Sequence, residues 1–84
     1  ANTGNISMKL FPNPANRVLN ISMKGYRKEK IIEVFDLNGK GLILEKVMQD
    51  NTALRISTLP PGLYIIKVTA RDGTVLSRNK FVKE

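Results

Sequence analysis

The feature of this sequence that most restricts its fold is a repeated alternation of apolar and polar residues in short runs. Clear cases are residues 19–23, 42–44 and 64–68. Because the side chains of a β-strand point to opposite faces in turn, this period of two is typical of strands with one buried face. Turn-forming residues separate the runs at intervals of about 8–12 residues, the polar residues 24–30 among them, and no stretch has an apolar face at the helical period. The sequence therefore predicts an all-β chain of about seven strands in an antiparallel β-sandwich.

The turns between the predicted strands carry signals of their own. Pro12 and Pro14 end the first strand, because proline has no N–H to donate to a neighbouring strand. Asn38 and Gly39 predict a hairpin with a type I′ turn, in which both central residues need a positive φ angle. The Asp-Gly pair at 72–73 predicts a second hairpin.

The sharpest local signal is a Pro-Gly turn followed by a tyrosine, at residues 61–64. Tyr64 stands where Ig-like sandwiches place a tyrosine corner, in which the tyrosine hydroxyl bonds to backbone upstream. Gly62 is expected to supply a backbone geometry that other residues resist. A stacking or catalytic role for Tyr64 is the weaker alternative, since a buried ring with a satisfied hydroxyl is common. The sandwich is therefore predicted to be Ig-like, with Tyr64 as a structural residue.

The composition argues against an enzyme. The chain has 84 residues and contains neither histidine nor cysteine, which removes the usual general base, the serine and cysteine triads, disulfides and most zinc sites. A domain of this size has little room for a deep active site. Glu33 and Asp36 are predicted on opposite faces of one strand, and Asp50 with Asn51 is too small a group for calcium. We therefore expect no catalytic residues, no metal site and no cofactor.

The net charge of +7 suggests nucleic-acid or anionic-surface binding, but the basic residues do not cluster as such a site requires. A soluble surface with solvated lysines is the favoured interpretation, and no nucleic-acid partner is expected. Tyr26 is the only aromatic residue outside an apolar run. A carbohydrate-binding or adhesive Ig-like module that uses Tyr26 is kept as an alternative, and so is a structural spacer domain. No apolar run approaches the ~20 residues of a membrane span.

The last residues predict an apolar strand flanked by lysines. Physical argument alone favours Lys80 and Lys83 as guards that keep an edge strand from unwanted pairing. Alternatively, a receptor recognises this segment by its charge or by adding a strand to it. An exposed edge strand also leaves dimerisation through that edge open.

Four segments of the sequence follow one another in a recognisable order. They read LFPNPAN at 10–16, VFDLNGK at 34–40, LPPGLY at 59–64 and KFVK at 80–83. Together they resemble the C-terminal sorting domain of the type IX secretion system of Bacteroidetes. Each segment alone is a weak signal, whereas four in the right order and spacing are specific. The resemblance extends from about residue 8 to residue 84.

The resemblance implies an Ig-like sandwich that serves as an address label behind an N-terminal cargo protein. Such domains are recognised in the periplasm by the type IX machinery, pass an outer-membrane translocon and are removed by a sortase-like protease, so the cargo is secreted or displayed at the cell surface. The motif positions expected to maintain the fold are Pro12, Asn13, Pro14, Asp36, Gly39, Gly62 and Tyr64. The positions expected to contact the receptor are Lys80, Phe81, Val82 and Lys83. Residues 1–5 are expected to be a linker remnant, and residues 6–84 a single domain.

Overall fold

The computed structural model describes residues 7–84, which form seven β-strands and no helix. The strands are β1 (Ser7–Phe11), β2 (Val18–Lys24), β3 (Lys30–Phe35), β4 (Gly41–Val47), β5 (Asn51–Arg55), β6 (Gly62–Ala70) and β7 (Val75–Lys83). The predicted all-β class is confirmed, and both predicted hairpins are present, as β3–β4 and β6–β7. In this part of the chain no helix has the length and hydrophobicity needed to cross a bilayer.

The strands form two antiparallel sheets that pack face to face. One has three strands in the order β1-β2-β5, and the other has four in the order β4-β3-β6-β7. The chain crosses between the sheets after β2, after β4 and after β5. This arrangement is consistent with an Ig-like sandwich. Strand β7 therefore lies at one edge of the larger sheet, beside β6 alone among the named strands.

The core lies between the sheets and is built from the inward-facing residues of the alternating runs. Leu19 and Ile21 come from the smaller sheet, and Val34, Ile66 and Phe81 come from the larger one, each at most 2% exposed. Complete burial of a side chain of this size stabilises the fold by about 1.5–3 kcal/mol. The alternation predicted from the sequence therefore corresponds to the observed division between core and surface.

The loop between β3 and β4 is not the predicted type I′ turn. Among the described residues only glycines have a positive φ angle, so Asn38 does not. The Asp36 N–H donates to Lys40 O at 3.0 Å, and the Gly39 N–H donates to Asp36 O at 3.1 Å. Gly39 has a φ of +87°. These features define a three-residue hairpin loop that closes with a left-handed glycine.

The β6–β7 loop has the same form. The Ala70 N–H donates to Thr74 O at 2.7 Å, and the Gly73 N–H donates to Ala70 O at 3.0 Å. The Asp72 carboxylate accepts the Thr74 N–H at 3.0 Å. This hydrogen bond, together with that from the Thr74 hydroxyl, lowers the pKa of Asp72. Asp72 thus binds the loop backbone, and Gly73, with a φ of +94°, is the left-handed residue that closes the loop.

Lys30 is buried, although the sequence predicted it to end a polar connection. It begins β3 on the same side as Ile32 and is 1% exposed. Its ammonium group donates to Tyr26 O at 2.9 Å and to Met48 O at 3.3 Å. The aliphatic stem thus extends the core, while the charged end reaches two carbonyl groups at its border.

Tyr26, predicted to be the exposed aromatic residue, packs partly against the core. Phe11 is the aromatic side chain that lies open, at 51% exposed. The alternative of a sugar-binding module relied on Tyr26, whose ring is half-buried, and it stays a prediction.

Replacing Lys30 by alanine is expected to lower the free energy of unfolding by about 2–4 kcal/mol, because it removes a buried stem and leaves two carbonyl groups without their donor. Lys30→Met keeps most of the packing and should cost about 1–2 kcal/mol. Urea unfolding of the purified variants measures both. The exposed Lys28 supplies the control, since Lys28→Ala should change stability by about 0.5 kcal/mol or less. Equal losses for Lys30→Ala and Lys28→Ala would contradict a stabilising role for the buried lysine.

Candidate recognition site

The segment predicted to contact a receptor is the end of β7, and its side chains point in two directions. Phe81 is completely buried and Lys83 is 7% exposed, so both face the interior. Lys80 is exposed and Val82 is 40% exposed on the outer face of the sheet. Of the four predicted contact residues, only Lys80 and Val82 therefore present their side chains to a partner of the folded domain.

Phe81 is held by the tyrosine of the Pro-Gly motif. The Tyr64 and Phe81 rings stack with centroids 5.6 Å apart and planes 25° apart. The Tyr64 hydroxyl donates to Pro60 O, which is the hydrogen bond of a tyrosine corner. Tyr64 is itself 6% exposed. It therefore acts on the terminal strand from inside the sandwich, through the ring of Phe81.

Gly62 begins β6 and is the pairing partner of Lys83 on β7. Its φ angle is +158°, a value that residues with a Cβ atom seldom adopt. The nearest atom that a Cβ would meet is in the Tyr64 ring, at 4.0 Å, which is an ordinary contact. The requirement for glycine is thus conformational rather than steric, and it applies where β6 starts to pair with the end of β7.

The opening motif binds the other side of the same strand end. The Asn13 side-chain oxygen accepts the Val82 N–H at 2.9 Å. The Ala15 N–H donates to Val82 O, and the Glu84 N–H donates to Ala15 O, both at 2.8 Å. Ala15 is completely buried and forms a parallel bridge with Lys83. The segment from Pro12 to Ala15 therefore covers the end of β7 on the side away from β6.

The Asp36 motif belongs to the β3–β4 loop. The Asp36 carboxylate accepts the backbone N–H groups of Asn38 and Lys40, both at 2.9 Å. These bonds give Asp36 and Gly39 a role in shaping the loop. Phe35, just before this loop, pairs with Ile65, which in turn pairs with Lys80. The loop therefore lies next to a row of outer-face residues that runs from Phe35 through Ile65 to Lys80.

Two further basic residues lie next to Lys80 on this face and were missed at the level of sequence. Lys67 and Arg78 are cross-strand partners, and Arg78 is exposed. The Lys67 ammonium lies 5.1 Å from the centroid of the Phe35 ring, a cation–π contact. The signal that could have found Arg78 is its spacing of two residues from Lys80, which places both side chains on one face of a strand.

The geometry of this strand end is suited to recognition by a partner. Two rigid features, the stacked Tyr64–Phe81 pair and the Asn13–Val82 hydrogen bond, fix a short strand that displays Lys80 and Val82. Among residues 7–84 no three side chains are grouped in a way that could hold a metal ion. A fixed strand with alternating outward side chains is the kind of element that a protein partner reads.

Comparison with known families identifies the group to which the chain belongs. The model of the secretion system C-terminal sorting domain matches residues 9–84, nearly the whole chain, so the chain is a member of this type IX secretion family. No curated protein matches it. Membership makes the domain a C-terminal sorting signal, which implies an N-terminal cargo and recognition by the type IX machinery. The family is not a family of enzymes.

Replacing Asn13 by alanine is expected to lower the free energy of unfolding by about 1 kcal/mol, because the Val82 N–H loses its acceptor. Hydrogen exchange measured by NMR should show the largest loss of protection at the Val82 amide. Asn13→Asp keeps an acceptor oxygen and should retain that protection, while Asn16→Ala, at an exposed position nearby, serves as the control. An unchanged exchange rate at the Val82 amide in Asn13→Ala would contradict the role of the Asn13 side chain in fixing the end of β7.

Replacing Tyr64 by phenylalanine is expected to cost about 1–3 kcal/mol of stability, because Pro60 O loses its hydrogen bond while the stacking on Phe81 is kept. Thermal unfolding followed by circular dichroism measures the effect. Tyr26→Phe removes a hydroxyl from the only other tyrosine of the chain and should have the smaller effect. A larger loss of stability in Tyr26→Phe than in Tyr64→Phe would contradict a stabilising role for the tyrosine corner.

Proposed function

We propose that this member of the secretion system C-terminal sorting family is read by the type IX machinery in its folded form, through the outward side chains of β7. In this proposal Lys80 and Val82 contact the receptor. Phe81 and Lys83 contribute indirectly, by holding the strand in place. The supporting observation is that the opening motif and the Pro-Gly-Tyr motif both contact the last four residues of the chain.

This convergence supports recognition of a shape as well as of a sequence. Asn13 and Ala15 bind β7 from one side, and Gly62 pairs with it from the other. A receptor that adds affinity through main-chain or side-chain contacts gains most when the recognised strand is already ordered, because less conformational entropy is lost on binding. The motifs are therefore assigned the role of ordering the strand before the receptor meets it.

The proposed route follows from membership of the family. The domain is recognised in the periplasm, and its cargo crosses the outer membrane through the type IX translocon. A sortase-like protease then removes the domain by cutting in the chain before β1, so that the cargo is secreted or retained at the cell surface. The predicted linker at residues 1–5 lies outside the described residues, and the first strand begins at Ser7.

Dimerisation through the edge of β7 remains a prediction, and the structure shortens the stretch of that edge open to a second copy. The end of that edge is occupied by Asn13 and Ala15. A second copy would therefore have to pair with the first part of β7, nearer Val75 than Lys83. The proposed sorting function does not require such a dimer.

A secretion assay with folded surface variants tests the proposed function. Residues 1–84 are fused behind a signal-peptide-bearing fluorescent reporter in a host that carries type IX machinery, and reporter is measured in the periplasm, at the surface and in the medium. The unmodified fusion is expected outside the outer membrane. The double variant Lys80→Ala with Val82→Ser should accumulate in the periplasm, because both exposed contacts are lost while the core is untouched.

The matched control changes the same two residue types on the other sheet. Val18 is 37% exposed, and Lys24 is exposed, so Val18→Ser with Lys24→Ala should leave export unchanged. Phe81→Ala should also block export, but by unfolding the domain, since it removes a buried ring at a cost of about 3–5 kcal/mol. Retention of the unmodified fusion would refute the sorting function. Normal export of the Lys80/Val82 variant would refute the assignment of the contact residues.

A further inference from the structure

The outer face of the larger sheet combines apolar and basic side chains in adjoining rows. We call it the basic face and define it by Leu44, Phe35, Ile65, Leu63 and Val82 as its apolar members and by Lys46, Lys67, Arg78 and Lys80 as its cations. One row contains Phe35, Ile65 and Lys80, and the next contains Leu44, Glu33, Lys67 and Arg78. Leu44 is 58% exposed and Leu63 is 39% exposed. Apolar groups are thus open to solvent directly beside positive charges.

The charge on this face is largely of one sign. Glu33 is the only carboxylate among the outward residues of the described strands in that sheet. The nearby Asp36 carboxylate already accepts two backbone N–H groups of its own loop. The field over the face is therefore positive, and it favours a partner that carries carboxylate or other anionic groups.

Two open depressions lie along the face. One, of about 220 Å³, is lined by Phe35, Gly39, Ile65, Lys67 and Arg78. The other, of about 270 Å³, is lined by Ile65, Arg78, Asn79 and Lys80. Each has an apolar floor and a basic rim. They are smaller than a typical enclosed small-molecule pocket, and their shape suits side chains that project in succession from an extended partner.

The adjoining edge of β7 indicates that this partner is a polypeptide. The N–H and C=O of Val82 point away from β6, toward Asn13 and Ala15. Because main-chain groups alternate in direction along a strand, the same groups of Arg78 point toward that edge as well. The Lys80 N–H points to the same edge, but it already donates to the Asn79 side-chain oxygen at 2.9 Å. No named strand of residues 7–84 lies beyond β7, so an extended chain can pair with the edge at Arg78.

We infer that the basic face, together with the β7 edge at Arg78, binds an extended segment of a partner protein in which carboxylate side chains alternate with apolar ones. The backbone of the segment pairs with Arg78. Because alternate side chains of a strand share one face, its carboxylates all lie on the outer face, where they meet Lys67, Arg78 and Lys80 around the depression at Ile65, and its apolar side chains turn to the other side of the sheet edge. The inference rests on the proposed function only in assigning such a segment to the export machinery.

The opposite face of the sandwich provides an internal comparison. Lys9, Lys24 and Arg55 are exposed there on the smaller sheet, so it also carries three cations. On that face Lys9 pairs with Ser22, while the exposed apolar residues Phe11 and Val18 pair with Asn20 and Arg55. What the opposite face lacks is the β7 edge at Arg78. If net charge alone attracted the partner, both faces would bind it equally. The inference requires that the basic face bind it and the opposite face not.

The test is a titration of the isolated domain followed by backbone amide NMR. The probe is a capped synthetic peptide in which glutamate alternates with valine, and the reference peptide has glutamine in place of glutamate. The glutamate peptide should shift the amides of β7 around Arg78 and those of the facing part of β6. It should bind about tenfold less tightly to Lys67→Gln/Arg78→Gln/Lys80→Gln, because three exposed ion pairs each contribute a few-fold. Lys9→Gln/Lys24→Gln/Arg55→Gln removes the same charge and should bind as the unmodified domain does.

Each other outcome would overturn the inference. Equal weakening by the two triple variants would mean that only net charge attracts the peptide, and equal binding of the glutamine peptide would mean that charge has no part. Absence of shifts in β7 would exclude the site itself. Arg78→Gln alone, at an exposed position, keeps the test decisive if the triple variant is unstable. Because the titration needs no secretion machinery, its failure is distinct from a failure of the export assay.

Discussion

The structure depends on one constraint: the end of β7 must have its main-chain hydrogen bonds satisfied on both sides. An edge strand normally leaves one row of N–H and C=O groups without strand partners. Here β6 pairs with one side, and the segment after β1 binds the other through Asn13 and Ala15. Because β1 belongs to the opposite sheet, these bonds also join the two sheets at that end. Loss of either partner would therefore loosen both the terminal strand and the closure of the sandwich.

This constraint changes how the family motifs are interpreted. A motif residue that is required for sorting need not touch the sorting machinery. Tyr64 is buried against Phe81, and Asn13 is engaged with Val82. Their chemistry is directed at the domain itself. Substitution of such residues and substitution of contact residues can give the same loss of export, and only a separate measurement of folding distinguishes them. Lys80 and Val82 are the terminal positions where side chains can change while the core stays intact.

The distribution of charge illustrates a second separation of roles. The net charge of +7 describes the whole chain and favours solubility and attraction to anions in general. It does not distinguish the two faces of the sandwich, since both carry several cations. The two faces differ in the strand edge beside the cations: Lys67, Arg78 and Lys80 lie on β6 and on the edge strand β7, whereas Lys24 lies on the central strand of the smaller sheet. Specific protein interfaces combine an apolar centre with a polar rim.

Alternation along the chain was sufficient to predict the all-β class, most of the strands and the buried members of β2 and β6. This succeeded because the geometry of a single strand forces successive side chains to opposite faces. The Pro-Gly-Tyr segment likewise predicted its own hydrogen bond, since Tyr64 and Pro60 are only four residues apart. The four family motifs predicted the sorting role, which the match over residues 9–84 supports.

Other features could be decided only by the tertiary structure. Asn13 and Val82 are separated by 69 residues, and their contact depends on which strand ends lie beside one another. The burial of Lys30 depends on carbonyl groups of two separate loops. The turn at Asn38 was mispredicted because the Asp36 carboxylate offers the loop backbone an alternative partner. Alternation defines the two faces of each strand, but sheet order and register decide which residues share a face. For that reason the sequence by itself determined the fold class and the family, while packing determined which motif residues remain accessible to a partner.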